Sequence, residues 1–271
     1  MAKAKVVAIG GRDTGEVELP IVFDTPYRPE VIQKVYVNLL SHSYQRQGRY
    51  PAAGEMVSAE SRNTGLGIAR LARARGEGFQ RAGQAASVAG VRHGRVAHPP
   101  ESWKNIYKKI NHKEKQLGLC SAIAATARKD LVEKRGHRID HKVKLPIIVS
   151  NDIESVAKTK DLKKALVDLG IGDDLTRASA IRKPRSGTAR RRGRQARQGT
   201  SALIVVGNDS KLVKLSRSIT GVDVKHIKDV SVLDLAPGSK PIRLTIFSQN
   251  AVDQLKSVQA PMHKLMELIN K

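Results

Sequence analysis

His137 and His141 stand four residues apart in RGHRIDHK, a spacing that suits two ligands on one helix face. A metal site needs more than this pair supplies. No HExxH context surrounds it, His93, His98 and His112 lie elsewhere in the same half of the chain, and Cys120 is the single cysteine. The residues read as a basic turn leading into a strand, with no metal and no cofactor. Cys120 falls inside an apolar helical pattern and reads as a small buried hydrophobe. Asp173-Asp174 reads as a charge pair in the first turn of a helix, not as a catalytic dyad. Gly10-Gly11 in VVAIGGRDTG follow a strand-like run, but their spacing is neither the dinucleotide fingerprint nor a phosphate-binding Walker loop. A hairpin turn is the simpler reading. Gly65-Leu66-Gly67 is half a glycine fingerprint with no strand before it. These groups do not assemble the parts of an active site, so no enzyme is expected.

Arginine offers different chemistry. In residues 182–199, RKPRSGTARRRGRQARQG, eight of eighteen positions are Arg or Lys and none is acidic. Such a segment cannot recover its ordering entropy by burial, so negative charge must come from outside the chain. Residues 44–103 pose a related puzzle. They are rich in Gly, Arg and Ala, and no lysine occurs between Lys34 and Lys104. A merely solvated linker has no reason to exclude lysine, whereas a guanidinium grips phosphate through a planar fork and stacks on bases. The stretch reads as an arm that threads into folded RNA. Its candidate contacts are Arg46, Arg49, Arg62, Arg70, Arg73, Arg75, Arg81, Arg92 and Arg95. In the second segment they are Lys183, Arg185, Arg190, Arg191, Arg192, Arg194 and Arg197. Tyr44, Tyr50, Phe79, Trp103 and Tyr107 either stack on bases or anchor the arm at its base.

Something must hold these excursions. The chain has 271 residues, 40% of them hydrophobic, enough for a proper core beneath a net charge of +24. That surplus draws polyanions. An anionic membrane competes with nucleic acid for the role, but no apolar run approaches the ~18–20 residues of a spanning helix. MAKAKVVAIGG is too short an apolar stretch for a secretory signal, and one cysteine leaves no intramolecular disulfide. A cytosolic protein is expected.

Apolar runs at 5–9, 16–23, 145–150, 202–207 and 243–248 predict strands. The last three are continuous rather than alternating, as in a sheet covered on both faces. Between them, helical patterns run over about 29–39, 111–134 (capped by Asn111 and stopped by Gly136), 159–169, 210–219 and 248–258. Thr159, Ser210 and Ser248 are the hydroxyls placed to cap the last three. The expected fold is α/β: a largely parallel central sheet flanked by helices. It forms one globular domain over 1–271, with the arm inserted at 44–103 and a second basic loop at 182–199.

Residues 62–127 resemble the arm and following helix of the universal large-subunit ribosomal protein L-four family, closest to its archaeal and eukaryotic branch. The matching pieces are Gly67-Ile68-Ala69-Arg70, Arg81-Ala82-Gly83-Gln84, Arg92-His93-Gly94-Arg95, Trp103-Lys104 and Asn111-His112-Lys113-Glu114-Lys115 running into SAIAATA. KPRSGTARRRGRQARQG before ALIVVG resembles that branch's second basic loop. The chain ends at 271 without a basic tail, which points to the archaeal type. The resemblance implies a structural protein of the large subunit, cytoplasmic and ribosome-bound, contacting large-subunit rRNA and neighbouring ribosomal proteins. It adds Trp103, Lys104 and Lys113 to the RNA contacts. It further implies that the arm lines the nascent-peptide exit tunnel, with Gly65, Gly67, Gly76, Gly78 and Gln84 facing the emerging polypeptide. Two rivals remain: an RNA-modifying enzyme with a basic guiding arm, and a DNA-packaging protein. The first requires a glycine-rich cofactor loop after a sheet strand and convergent acid–base residues.

Overall fold

The computed structural model describes residues 3–140, 143–208, 211–239 and 242–258. His141 of the histidine pair and Ser210 of the expected cap lie outside them. The chain folds as two compact units, Met1–Leu40 with Lys109–Lys271, and Ser41–Lys108.

In chain order, β1 (Lys3–Val7) and β2 (Asp13–Glu18) form an antiparallel hairpin. Gly11 makes its turn at φ +76°, and a Cβ there would sit 2.9 Å from the Asp168 carbonyl oxygen. The run expected as a strand to residue 23 instead turns, at Ile21–Asp24, into one turn of 3-10 helix after Pro20. Helix α1 (Pro29–Ser41) follows, opened by a proline whose fixed φ suits a first helical position. Strands β3 (Ala59–Ser61) and β4 (Ala72–Ala74) belong to the second unit.

The single helix expected over 111–134 is two, α2 (His112–Ala125) and α3 (Lys129–Lys134). Thr126 breaks it by donating its hydroxyl to the Ile123 carbonyl at 2.6 Å, the competition with helical bonding that short hydroxyl side chains offer. Asn111 occupies the cap position of α2 without a side-chain hydrogen bond. Next come β5 (Ile147–Val149), α4 (Thr159–Leu166), a π turn over Val167–Ile171 and α5 (Gly172–Ala180). Thr159 is the first residue of α4 rather than its cap; Lys158 holds that position with no side-chain bond.

The second basic loop contains β6 (Lys183–Pro184), α6 (Gly187–Arg191) and β7 (Ala196–Arg197). The chain closes with β8 (Leu203–Val206), α7 (Leu212–Ser216), β9 (Asp223–His226), α8 (Val232–Leu235), β10 (Thr245–Ser248) and α9 (Gln249–Val258). Ser248 does cap α9: its Oγ accepts from the Ala251 amide at 3.1 Å.

The described residues give a six-stranded sheet in the order β2-β1-β5-β10-β8-β9. Every pairing is parallel except β1 with β2. This is the largely parallel sheet expected. The two-residue period of its strands divides the core in two. Ile148, Leu203, Val205 and Phe247 face one layer with Ile32, Val35, Ile123 and Leu255. Ile147, Val149, Ile204, Val206 and Ile246 face the other, against Leu162, Leu166, Leu175 and Leu212. Both faces are covered, so the strand sequences are continuously apolar. Removing one large side chain from either layer, as in Phe247→Ala, costs about 3–5 kcal/mol.

Candidate nucleic-acid interface

The Ser41–Lys108 unit is held by its own backbone. β3 and β4 pair antiparallel, Ala59 opposite Ala74 and Ser61 opposite Ala72. The chain then returns along the other side of β4: Ala74 N donates to Gln84 O at 2.9 Å and Ala86 N to Ala72 O at 2.9 Å. The ladder was invisible in sequence because its strands are three residues long and lack β-branched side chains. Glycines let strands of chain pass close. A Cβ on Gly48 would lie 2.8 Å from Ser102 N, and one on Gly54 2.8 Å from Arg95 Cα. At the neck, His42 Nε2 lies 3.1 Å from the Lys108 carbonyl, and Lys108 N donates to Ser41 Oγ at 3.0 Å. The Tyr107 ring tilts against His42 with the Arg46 guanidinium 5.5 Å from its centre. Trp103, by contrast, is exposed.

This folding divides the arm's arginines into two groups. Arg73 Nη1 donates to the Gly83 carbonyl and Arg49 Nη1 to the Ala53 carbonyl, each at 2.9 Å. Arg75 pairs with Glu60, and Arg95 lies 3.9 Å from Glu55. Arg62, Arg70, Arg81 and Arg92 are exposed. Gly65, Gly67 and Gly78 sit in turns with positive φ, and nothing lies within 4 Å of a Cβ at any of them. Gly76 packs against the Phe79 ring, and Gln84 donates its side-chain amide to Gln80 O.

The second basic loop has a rigid root. Asp174, fully buried in α5, accepts from Ser201 Oγ (2.6 Å), Arg177 Nε (2.9 Å) and the Arg138 amide (3.0 Å), and lies 3.1 Å from His137 Nδ1. Burial pushes its carboxyl up, but the hydrogen bonds from His137, Arg177 and Ser201 outweigh this and hold it well below the usual carboxylate range. Arg177 Nη2 also donates to Thr200 O at 2.7 Å. Buried Arg243 closes the same corner, donating to Ser201 O at 2.6 Å and Gly221 O at 2.8 Å while Nη1 meets Asp223 at 2.7 Å. Residue types and spacing did not mark Arg177, Ser201 or Arg243; only the fold brings Arg177 and Ser201 to Asp174, and Arg243 to the Ser201 carbonyl. Beyond this root, Lys183, Arg190, Arg191, Arg192, Arg194 and Arg197 are exposed and Arg185 half-buried. Lys104 and Lys113 are exposed as well.

The groups that might have done chemistry are otherwise engaged. His137 is committed to Asp174. The Cys120 thiol is buried, which pushes its pKa up to about 12, away from nucleophilic use. In parallel sheets, ligands lodge beyond the carboxyl ends of the strands. Here Glu154 occupies that position: its Oε1 accepts from Gly207 N after β8 (2.9 Å) and from Ser248 Oγ at the end of β10 (2.7 Å).

Comparison with known proteins agrees with this geometry. Residues 17–258 match the family model described as the ribosomal protein L4/L1 family. The chain is 40% identical over 255 residues to the large ribosomal subunit protein uL4 of Methanosphaera stadtmanae, covering 94% of this chain and 96% of that one. It is 38% identical to the uL4 of Pyrobaculum aerophilum, over 94% of this chain and 90% of the other. The uL4 of Methanococcus vannielii is 40% identical, over 93% and 98% of the two chains. Matched over most of its length by the model and by archaeal relatives at this identity, the chain belongs to the ribosomal protein L4/L1 family and is a ribosomal protein, not an enzyme.

Proposed function

We propose that this protein is a structural component of the large ribosomal subunit that binds and organises large-subunit rRNA. The α/β domain is the body, residues 44–103 the penetrating arm and 182–199 a second contact. The observation that carries this reading is the set of exposed guanidinium groups, on the arm and on the loop, that have no carboxylate partner among the described residues: Arg62, Arg70, Arg81 and Arg92, and Arg190, Arg191, Arg192, Arg194 and Arg197. Neutralising closely packed phosphates is the work such groups do. Arg46, Arg49, Arg73, Arg75, Arg95, Trp103, Lys104, Lys113, Lys183 and Arg185 complete the RNA-binding set, several of them shaping the arm as well. Neighbouring large-subunit proteins are the other partners, in a cytoplasmic, ribosome-bound setting. Among the described residues no helix is long and apolar enough to cross a membrane.

The arm also helps to line the nascent-peptide exit tunnel, with Gly65, Gly67, Gly76, Gly78 and Gln84 toward the emerging chain. The positive-φ turns at Gly65, Gly67 and Gly78 support this, since they present backbone with no side chain to obstruct a passing polypeptide. Gly67→Trp, expressed as the sole copy, should leave the domain folded and change nascent-chain pausing or subunit assembly. If both stay unchanged, the tunnel role is wrong. Against the modifying-enzyme reading, the glycine after β8 donates its amide to Glu154 rather than offering it to a cofactor phosphate.

A further inference from the structure

The second basic loop forms an open cavity of about 520 Å3 that none of the interactions above explains. Arg182, Pro184, Arg190, Gln195 and Ala196 line it. Its walls are built by hydrogen bonds. Lys183 and Pro184 pair with Arg197 and Ala196 across the β6–β7 ladder. Arg185 N donates to Gln195 O at 2.8 Å, Arg194 N to Ala189 O at 3.0 Å and Arg192 N to Thr188 O at 3.1 Å.

Two arginines therefore line one open cavity, concentrating positive charge that an anion seated there would neutralise. The loop has no anion of its own, since no Asp or Glu occurs between Asp174 and Asp209. Next to Pro184 in the chain, Arg185 keeps its Nε buried with no acceptor among the described residues, a costly state for a charged donor. A cation is excluded by the charge of the lining. A phosphate suits it, because the guanidinium fork matches two phosphate oxygens, the Gln195 amide offers a further donor and Pro184 and Ala196 supply apolar wall for a sugar edge.

We propose that Arg182 and Arg190 seat one backbone phosphate of large-subunit rRNA in this cavity, an assignment that rests on the rRNA-binding reading above. The test uses the full chain and a transcript of large-subunit rRNA, with affinity measured across a salt series. R182Q/R190Q should weaken binding roughly tenfold and lower the log–log salt slope by about 0.7–0.9. R190K, which keeps the charge and loses the fork, should lose affinity with the slope unchanged. K160Q/K163Q, two exposed lysines of α4, controls for charge removal elsewhere. If R182Q/R190Q behaves like that control, or R190K like wild type, the seat is overturned while rRNA binding stands. A wild-type chain with no preference for the transcript over duplex DNA at matched salt overturns the rRNA reading itself. The Arg190 Nε–H NMR signal should move when the transcript is added. Movement with inorganic phosphate at matched ionic strength, and none with the transcript, would give the cavity to free phosphate and overturn the proposal.

Discussion

Ser201 Oγ donates to Asp174 Oδ2 at 2.6 Å, so the residue that re-enters the core after the second basic loop is bonded to the helix that launches the loop. Both partners are buried, and the same carboxylate takes Arg177 from the side. Loop ends fixed in this way lose less freedom when the loop meets its ligand.

Asp174 makes the domain acid-sensitive in a defined window. Its folded carboxyl ionises below its unfolded one. The stabilisation is therefore complete above about pH 4, the unfolded value, and is lost as pH falls toward the folded value. Asp174→Asn should cost about 3–5 kcal/mol at pH 7, because it strands Arg177 and His137. It should also flatten the decline in stability below pH 4. Urea denaturation at pH 7 and pH 3 measures both, and an Asn variant with wild-type acid dependence would contradict the assignment.

Limited trypsin digestion should separate the two kinds of arm arginine. Residues 61–71 are exposed throughout, whereas Arg73 is half-buried within β4 and bonded to Gly83. Cleavage after Arg62 and Arg70 should precede cleavage after Arg73, because the latter requires local opening of the ladder. Simultaneous release of all three peptides would mean that β3 and β4 do not persist in the free protein.

Salt dependence of rRNA binding should divide the same residues. Arg62→Gln or Arg70→Gln removes an exposed guanidinium, and each should reduce the log–log slope by about 0.7–0.9. Arg73→Gln should instead speed proteolysis of the arm with a smaller change in slope, because its guanidinium is already held by a carbonyl. Equal slopes for Arg62→Gln and Arg73→Gln would erase the distinction.

The buried sheet was legible because burial on both faces forces a continuous apolar sequence, as in Leu203–Val206 and Ile147–Val149. Strand β9 escaped notice: DVKH, at the sheet edge, buries only Val224 fully, too short an alternation to register. Of the three expected helix caps among the described residues, one was legible. Ser248 forms the expected bond, but Asn111 and Thr159 do not, since a capping residue type states a capacity that neighbouring turns must allow. The basic excursions stood out by composition alone. Their internal order did not, because it rests on backbone bonds such as Ala74 N to Gln84 O and Arg185 N to Gln195 O, which any residue but proline can make as donor.

Glu154 has a consequence for how this architecture is used. Its carboxylate satisfies Gly207 N and Ser248 Oγ, the very donors that a metabolite's phosphate would otherwise seek at the mouth of a parallel sheet. A phosphate arriving at this end of the sheet would have to displace the Glu154 carboxylate before it could reach either donor, so the mouth of the sheet is satisfied from within the chain.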